Sequence, residues 1–439
     1  MAWNIVIAGG GFGGASAARQ LERLMPRQSA RMMLVNDVNF LLYTPFLPEA
    51  AAGTLEPRHV VTPLRDILRR TYLRLGAITA HDPASRTVQI RNHEGEVDEV
   101  RYDALLLALG SVSRVLPVPG LDQHAIGFKS LADAIWLRNH VVETLEAANA
   151  TEDPARREEL LTYVFVGGGY AGLEALAELQ DFAADAMDRY PRARLHGMRW
   201  VLVEATDRVL PEIDRPLADY ALRELRGRGI DIRLGTTLEE VTADSARLST
   251  GETLGTRTVV WTAGVTPHPS LRNLEVPLDE RGRVPVDRYL RVQGLDRVWA
   301  LGDCAAVPEP EGGTAPATAQ HAVRQGPLAA RNIAAELGIG SPREFAYRGR
   351  AAFVNLGRYK AVGRIGRFNF RGFLAWWLAR SYHMSQIPGA ARKVRAVVDW
   401  TVSLPFRRDV SEVGSIGHPR PLSAQVYERG GSHRPLAEE

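Results

Sequence analysis

The chain has 439 residues, of which 45% are hydrophobic and 24% are charged. This is a globular composition, long enough for two or three domains, and it argues against a disordered chain. Lys and Arg number 54 against 51 Asp and Glu, and a net charge of +3 argues against nucleic-acid binding by overall charge. The single cysteine, Cys304, excludes an internal disulfide, a CxxC redox motif and a cysteine metal cluster. We expect Cys304 to be a small buried side chain and expect no metal site, so any redox chemistry must use a bound cofactor.

The N-terminus runs through a short apolar segment directly into glycines. Because no basic segment followed by a long apolar one precedes them, we expect no signal peptide. The longest fully apolar run, 373–379, has seven residues, whereas a membrane-spanning helix needs roughly 20. We therefore predict that no segment spans a bilayer, which leaves open attachment to its surface.

The first predicted element is strand 5–8, which leads into the sequence GGGFGG and then into a helix. The order strand, GxGxxG, helix is typical of a dinucleotide-binding turn. Gly9 makes the tight turn, Gly11 lets the backbone approach a pyrophosphate, and Gly14 lets the helix pack on the strand. The helix, predicted from Ala15 to Leu24, then points its free N–H groups at the phosphates, and Phe12 is a further candidate cofactor contact.

Such a unit normally holds an acid at the end of its second strand, where it binds the adenosine ribose. In this unit that position, after strand 32–35, is Asn36. Asparagine can hydrogen-bond a ribose hydroxyl without carrying a charge. Asp37, which follows it, is the alternative partner.

A second copy of the unit begins at strand 163–166, which leads into GGGYAG and a helix. Its three glycine positions are Gly167, Gly169 and Gly172. Each copy is followed, about 100 residues later, by a small-residue strand end, at Gly110 and at Gly264. The repeat predicts an α/β chain with two Rossmann-like dinucleotide-binding domains.

Two acidic residues of the second copy are candidates for contacts with the dinucleotide. Glu204 ends strand 200–203, and a carboxylate there repels a 2′-phosphate, so NADH is favoured over NADPH. Glu174 lies two residues after Gly172, in the predicted first turn of the helix. It is either an acid stabilised by the helix dipole or a contact to the nicotinamide end.

Strand 298–301 ends in Gly302 and Asp303. A carboxylate at such a strand end can bind the ribityl chain of a flavin, and an ordinary turn aspartate is the alternative. We predict an FAD-binding domain split into residues 1–112 and 285–345, with an NADH-binding domain, 113–284, inserted into it.

The two glycine motifs, with Thr262-Ala263-Gly264 and Leu301-Gly302-Asp303, resemble the two-dinucleotide-domain flavoprotein disulfide reductase superfamily. Within it, about residues 1 to 410 resemble the type II NADH:quinone oxidoreductases. The narrower signals are LYTPFL at 42–47, similar to a flavin-proximal loop, and AQHAVRQ at 319–325, similar to the AQxAxQQ quinone-site motif. The missing cysteine pair separates the chain from disulfide reductases and sulfide:quinone reductases.

This resemblance implies a non-covalent FAD, NADH as the electron donor and a quinone as the acceptor. The residues that it places at the flavin or the quinone are Thr44, Ala319, Gln320, Gln325 and Lys360. Arg324 stands where the family motif has a glutamine, and its longer, charged side chain could narrow the quinone pocket or favour a more polar acceptor. For 319–325, a helix start that only packs on the sheet is the alternative.

Residues 345–410 hold 13 Lys and Arg against two Asp, a local charge of +11, so the rest of the chain carries −8. Within them, Phe370–Met384 and Arg392–Leu404 are predicted as amphipathic helices rich in tryptophan and basic residues, which suits a bilayer interface. Each basic residue near an anionic surface adds roughly 1 kcal/mol.

We therefore predict a quinone-site and membrane-interface region at 346–410, which contacts an anionic membrane surface through 370–410. A dimerisation or core-capping helix pair is the alternative, and 411–439 is predicted as a flexible tail. We expect no nucleic-acid partner and leave open a homodimer.

The expected function is FAD-dependent NADH oxidation with two-electron reduction of a membrane quinone and without proton pumping, by a peripheral enzyme at the cytoplasmic face of the cell membrane. Two rival functions stay open. One is a soluble NADH-dependent flavin oxidoreductase that acts on another small-molecule or protein acceptor, and the other is a non-catalytic flavoprotein that senses NADH.

Overall fold

The computed structural model describes residues 2–347, 349, 351–403, 405–406 and 408–411. They form two units, each built on a parallel sheet with helices, and a C-terminal region. The two Rossmann-like units confirm the predicted α/β fold class. The predicted tail beyond Ser411 lies outside the described residues, as do Arg348, Arg350, Leu404 and Arg407.

The first unit holds a five-stranded parallel sheet. Its strands in spatial order are Val298–Ala300, Ala104–Leu107, Trp3–Ala8, Ala30–Asn36 and Tyr72–Leu75. Its antiparallel strands are Ala77–Asp82, Thr87–Arg91 and Val97–Arg101, with the pair Phe40–Leu42 and Val61–Pro63. Its helices are Phe12–Leu24, Leu47–Ala51, Leu64–Ile67 and Ala319–Glu336, of which the first and last pack on each other. Residues from both ends of the chain therefore build one sheet and its helices.

The second unit repeats this plan. Its parallel strands in spatial order are Ala125–Gly127, Thr258–Trp261, Thr162–Val166, Arg199–Glu204 and Asp231–Leu234. Its antiparallel strands are Leu238–Val241, Ser245–Leu248 and Thr253–Gly255. Its helices are Leu121–His124, Leu131–Ala150, Pro154–Leu161, Tyr170–Met187, Pro191–His196 and Arg215–Gly227. Strand Thr162–Val166 is buried at every residue, because helices cover one face of it and the antiparallel strands cover the other.

Two short ladders lie outside these sheets. Strand Ser111–Ser113 pairs antiparallel with Val265–Pro267, and Val284–Pro285 pairs parallel with Ala305–Ala306. The predicted domain boundaries near residues 112 and 284 remain a prediction.

The C-terminal region contains a three-stranded antiparallel sheet that the sequence analysis did not anticipate. Its elements are strands Ala351–Asn355, Ala361–Ile365 and Phe368–Arg371 and helices Gly372–Gln386 and Ala390–Ser403. Val354, Leu356 and Val362 are buried in the same core as the second unit's helices, so this sheet holds the region on the second unit. No helix in the described part of the chain is both long enough and apolar enough to cross a bilayer.

Candidate active site

The first glycine turn has the geometry that its sequence predicts. Gly9 has a φ of 104°, which a side chain rarely tolerates. A Cβ on Gly14 would collide with the carbonyl oxygen of Gly9, whereas a Cβ on Gly11 would meet nothing within 4 Å. The turn therefore leaves open space at the start of helix Phe12–Leu24, where free N–H groups can bind a pyrophosphate.

The second turn repeats these three constraints. Gly167 has a φ of 113°, and a Cβ on Gly172 would collide with its carbonyl oxygen. A Cβ on Gly169, which precedes helix Tyr170–Met187, would meet nothing within 4 Å. Both turns thus fit a dinucleotide pyrophosphate.

The residues at the two ribose positions bond to their own turns. Asn36 Oδ1 accepts a hydrogen bond from the Gly10 N–H at 2.7 Å, and Glu204 Oε2 accepts one from the Gly168 N–H at 2.6 Å. Asparagine therefore replaces the acid in the first unit without loss of this contact. Asp37 is exposed. Among the described residues, its side chain accepts a hydrogen bond only from the N–H of Val38, the next residue.

Asp303 lies in a small polar cluster. Its Oδ2 accepts a hydrogen bond from Ser111 Oγ at 2.5 Å, and Lys129 Nζ donates to Ser111 Oγ at 2.8 Å. Burial lowers the pKa of Lys129, although the Asp303 carboxylate opposes this. Gly110 and Gly264, the two predicted strand-end glycines, both have a positive φ. Sequence reasoning missed Ser111 and Lys129, because only the fold brings them to Asp303.

Gln325 supports the turn beside Asp303. Its buried Oε1 accepts a hydrogen bond from the Gly302 N–H at 2.7 Å. Cys304 is fully buried, as predicted. The structure therefore places Gln325 behind the turn.

A cavity of about 250 Å³ opens beside the first turn; we call it the Gln320 cavity. Its wall joins the first turn, the 42–47 loop, the start of helix Ala319–Glu336 and helix Gly372–Gln386. The lining side chains include Phe12, Tyr43, Pro45, Ala319, Gln320, Arg324, Tyr382 and His383. Thr44 lies beside it, in the turn Thr44–Phe46. The predicted quinone motif and a C-terminal helix thus meet in one place.

A hydrogen-bonded pair forms part of this wall. Tyr43 Oη lies 3.2 Å from His383 Nδ1. Burial raises the pKa of Tyr43 and lowers that of His383 to about 4. Both side chains are therefore uncharged near pH 7.

Arg324 also faces the cavity. Its guanidinium carbon lies 5.5 Å from the centre of the Tyr347 ring. Gln320 Nε2 donates to the Ala351 carbonyl oxygen at 3.0 Å. The departure from the family motif therefore puts a cation in the wall, next to Gln320.

Glu174 and Lys360 occupy different surroundings. Loss of hydration raises the pKa of Glu174 to about 8, against the lowering effect of the Asn355 N–H, which donates to Oε1 at 2.8 Å. Lys360 does not join the cluster at Asp303 or line the Gln320 cavity. Its half-exposed Nζ donates a hydrogen bond to Glu224 Oε2 at 2.6 Å. Glu224 lies on helix Arg215–Gly227, because the turn that contains Lys360 faces the second unit.

Comparisons with known proteins identify the family and the fold. The pyridine nucleotide-disulphide oxidoreductase family matches residues 3–326. The type II NADH:quinone oxidoreductase Ndh of Mycobacterium tuberculosis is 30% identical, with 91% of this chain and 88% of the relative covered. The external alternative NADH-ubiquinone oxidoreductase of Yarrowia lipolytica mitochondria is 29% identical, with 93% and 80% covered. The structure of NDH2 from Plasmodium falciparum in complex with NADH has the same fold, with a TM-score of 0.88 at 16% identity, covering 94% of this chain and 100% of that one.

Proposed function

This chain belongs to the pyridine nucleotide-disulphide oxidoreductase family and, within it, to the type II NADH:quinone oxidoreductases, and we propose that it oxidises NADH and reduces a membrane quinone by two electrons without pumping protons. The observation that carries this proposal is the Gln320 cavity, whose wall joins the first dinucleotide turn to a C-terminal helix. FAD, bound without a covalent link, supplies the hydride acceptor and the two-electron donor of this reaction.

The first unit fits FAD. Gly9, Gly11 and Gly14 form a turn with open space at a helix start, which suits the pyrophosphate. Asn36 or Asp37 binds the adenosine ribose, and Asp303 binds the ribityl hydroxyls. Gln325 acts through Asp303, because it holds the N–H of the preceding residue. Thr44 and Ala319 would contact the flavin.

The second unit fits NADH. Gly167, Gly169 and Gly172 receive its pyrophosphate, and Glu204 accepts hydrogen bonds from its ribose hydroxyls while disfavouring a 2′-phosphate. Glu174 faces the nicotinamide end. With a pKa of about 8, its carboxyl is largely protonated at pH 7 and adds little negative charge there.

The quinone head group binds in the Gln320 cavity. Its carbonyl oxygens accept hydrogen bonds from Gln320, Arg324 and the Tyr43–His383 pair, which are among the donors of the wall. Reduction to the quinol consumes two protons, and the neutral Tyr43 and His383 hold exchangeable protons at this wall.

We place the C-terminal region on an anionic membrane surface, at the cytoplasmic face of the cell membrane. Its two helices expose large apolar side chains, and the second of them also carries Arg392, Lys393 and Arg395. The exposed apolar side chains, which we call the apolar face, are Phe373, Leu374, Trp377, Val394, Val397, Val398, Val402 and Phe406. Aromatic and aliphatic side chains beside arginines suit the interface of a bilayer. A homodimer that covers the same face is the rival arrangement.

Stopped-flow absorbance of the purified FAD-loaded protein tests the function. NADH should bleach the flavin rapidly, and a soluble quinone analogue should then restore its absorbance at a rate that supports steady-state turnover. Bleaching by NADH with reoxidation only by acceptors other than quinones would overturn the quinone reaction and favour a soluble flavin oxidoreductase. Failure of NADH to bleach the flavin would overturn the whole proposal.

A further inference from the structure

A second cavity, of about 300 Å³, lies on another face of helix Gly372–Gln386; we call it the Glu178 cavity. It is enclosed by both C-terminal helices and by helix Tyr170–Met187 of the second unit. Its lining side chains include Thr54, Glu178, Trp376, Trp377, Arg380, Met384, Val397, Trp400 and Arg408. None of these residues takes part in the reaction described above.

Four residues of this wall carry buried polar atoms without a hydrogen-bond partner among the described residues. The atoms are Thr54 Oγ1, both carboxylate oxygens of Glu178, Trp376 Nε1 and Arg380 Nε. Glu178 is only 1% exposed, and Arg408 Nη2 is 3.6 Å from its Oε2, beyond hydrogen-bond distance. Buried polar groups without partners are costly, so their concentration in one cavity points to a polar ligand.

The charges of the wall are held at fixed places. The Arg380 guanidinium lies between the rings of Trp376 and Trp400, 4.2 and 4.8 Å from their centres. Its Nη2 lies 3.1 Å from Glu49 Oε1. These contacts hold Arg380 in the wall, and its Nε–H and the Trp376 N–H are both without a hydrogen-bond partner among the described residues. The wall thus holds two N–H donors without partners and the Glu178 carboxyl group, whose one ion-pair contact among the described residues is with Arg408 at 3.6 Å.

The mouth of the cavity is apolar. Trp377 and Val397 line it and are also about half exposed, as part of the apolar face. A ligand with a polar head in the cavity and apolar chains that leave along this face would satisfy both surfaces.

We propose that the Glu178 cavity binds the head group of a zwitterionic aminophospholipid, with its primary ammonium on Glu178 and its phosphate on Arg380 and Trp376. A primary ammonium donates up to three hydrogen bonds to the carboxylate, and a phosphate oxygen accepts the two N–H groups. A choline head carries the same charges but has no N–H to donate. The site therefore selects phosphatidylethanolamine over phosphatidylcholine. This inference concerns lipid binding and does not depend on the quinone reaction.

The test measures binding of dihexanoyl phosphatidylethanolamine and dihexanoyl phosphatidylcholine, both below their micelle concentrations, to the full-length FAD-loaded protein by titration calorimetry. We expect the ethanolamine lipid to bind at least about tenfold more tightly, because its hydrogen bonds involve charged groups. Glu178→Gln and Trp376→Phe should each weaken that binding about tenfold. Glu143→Gln, the same change at a largely exposed glutamate of helix Leu131–Ala150, should leave it unchanged.

Flavin absorbance and thermal unfolding report whether each variant is folded. If Glu178→Gln does not fold, the lipid affinity of Trp376→Phe tests the proposal. Equal affinity for the two lipids would overturn the proposal, as would unchanged affinity in the folded variants. Inorganic phosphate that binds as tightly as the ethanolamine lipid would also overturn it, because the ammonium would then contribute nothing. Since the probes are single lipid molecules, these outcomes are independent of vesicle binding and of quinone reduction.

Discussion

Glu204 combines two contacts that a substitution can separate. Its carboxylate accepts a hydrogen bond from the Gly168 N–H, and we propose that its charge also repels a 2′-phosphate. Glu204→Gln keeps a hydrogen-bond acceptor and removes the charge. We expect the preference for NADH over NADPH, measured as the ratio of kcat/KM values, to fall about tenfold, because a charged contact is stronger than a neutral one.

The neighbouring exposed acid supplies the control for this prediction. Asp207→Asn removes a charge three residues away, on the exposed loop that follows the same strand, and should leave the preference unchanged. An unchanged preference in Glu204→Gln would show that cofactor choice rests on other residues.

The pKa of Glu174 predicts a pH-dependent stability. It is about 8 in the folded protein against an ordinary value of 4.5, so between these values the unfolded chain loses the proton that the folded chain keeps. The stabilising contribution is therefore complete below pH 4.5 and is lost as the pH rises to 8. Glu174→Gln cannot ionise, and its free energy of unfolding should rise relative to that of the unchanged protein between pH 5 and 8.5, by a few kcal/mol at most.

Urea unfolding at both pH values measures this difference. Glu94→Gln, at an exposed turn between two strands, should show the same stability relative to the unchanged protein at each pH. A stability difference for Glu174→Gln that stays constant with pH would contradict the raised pKa.

His383 tests the quinone wall. His383→Gln removes the ring that contacts Tyr43 Oη at 3.2 Å, and we expect turnover with a soluble quinone to fall on the order of tenfold, as for loss of a positioned proton donor. The rate at which NADH bleaches the flavin should not change, because we place NADH on the second unit and not in the Gln320 cavity. His93→Gln, in an exposed turn, is the control, and equal loss in both steps would remove His383 from the quinone site.

Some features of this site could be predicted from the sequence, and others could not. The glycines were predictable because each has a steric task that no other residue performs at that spacing. The Tyr43–His383 contact joins residues 340 positions apart, and local spacing carries no signal for it. The position of Lys360 was predicted from a resembling segment, whereas its Glu224 contact depends on the packing of the C-terminal strands on the second unit.

Among the secondary-structure elements, the second glycine turn contains a position where a substitution should weaken NADH binding without affecting the fold. Gly169 has φ −79°, which alanine adopts readily, and its Cβ would meet no protein atom within 4 Å. Gly169→Ala should therefore fold and keep its FAD, while the new methyl group occupies the approach of the NADH pyrophosphate. We expect the KM for NADH to rise on the order of tenfold or more, measured with a soluble quinone at saturation.

Gly227→Ala is the matched control, because its Cβ also meets nothing within 4 Å and it lies at the far end of helix Arg215–Gly227. Its KM should not change. If the KM of Gly169→Ala is equally unaffected, the second turn is not the place of the pyrophosphate.

Elements with a strong local pattern were predictable, and those defined by distant packing were not. Both strand–turn–helix elements and the two C-terminal helices follow from glycine spacing and apolar periodicity, with ends that differ by at most three residues. The sheet of Ala351–Asn355, Ala361–Ile365 and Phe368–Arg371 has strands of only four or five residues, too short for a clear local pattern. Its apolar side faces the second unit's helices, a partner that the sequence of the sheet does not reveal.

For the whole molecule, the net charge of +3 averages two unlike parts, a C-terminal region of +11 and a remainder of −8. The basic part also carries the apolar face, so charge and apolar surface coincide on one side of the chain. A surface of this kind binds an anionic bilayer by two contributions that differ in their response to salt. The basic side chains are screened by added salt, whereas apolar burial is not.

This distinction makes membrane binding testable with two exposed residues. Leu374 and Val398 are each about half exposed, so the double change Leu374→Ser and Val398→Ser should spare the fold. Burial of such side chains contributes about 1.5–3 kcal/mol each, and loss of part of this should weaken flotation with anionic vesicles at least about tenfold. Flotation of the unchanged protein should also decrease as salt rises from 50 to 500 mM.

Leu195→Ser is the control, because Leu195 is 91% exposed on helix Pro191–His196 of the second unit, away from the apolar face. Light scattering on the same samples separates the membrane from the rival homodimer. A double variant that floats like the unchanged protein but has changed from dimer to monomer would show that a second copy covers the apolar face. A monomer that loses flotation while Leu195→Ser keeps it would establish the bilayer as the partner of this face.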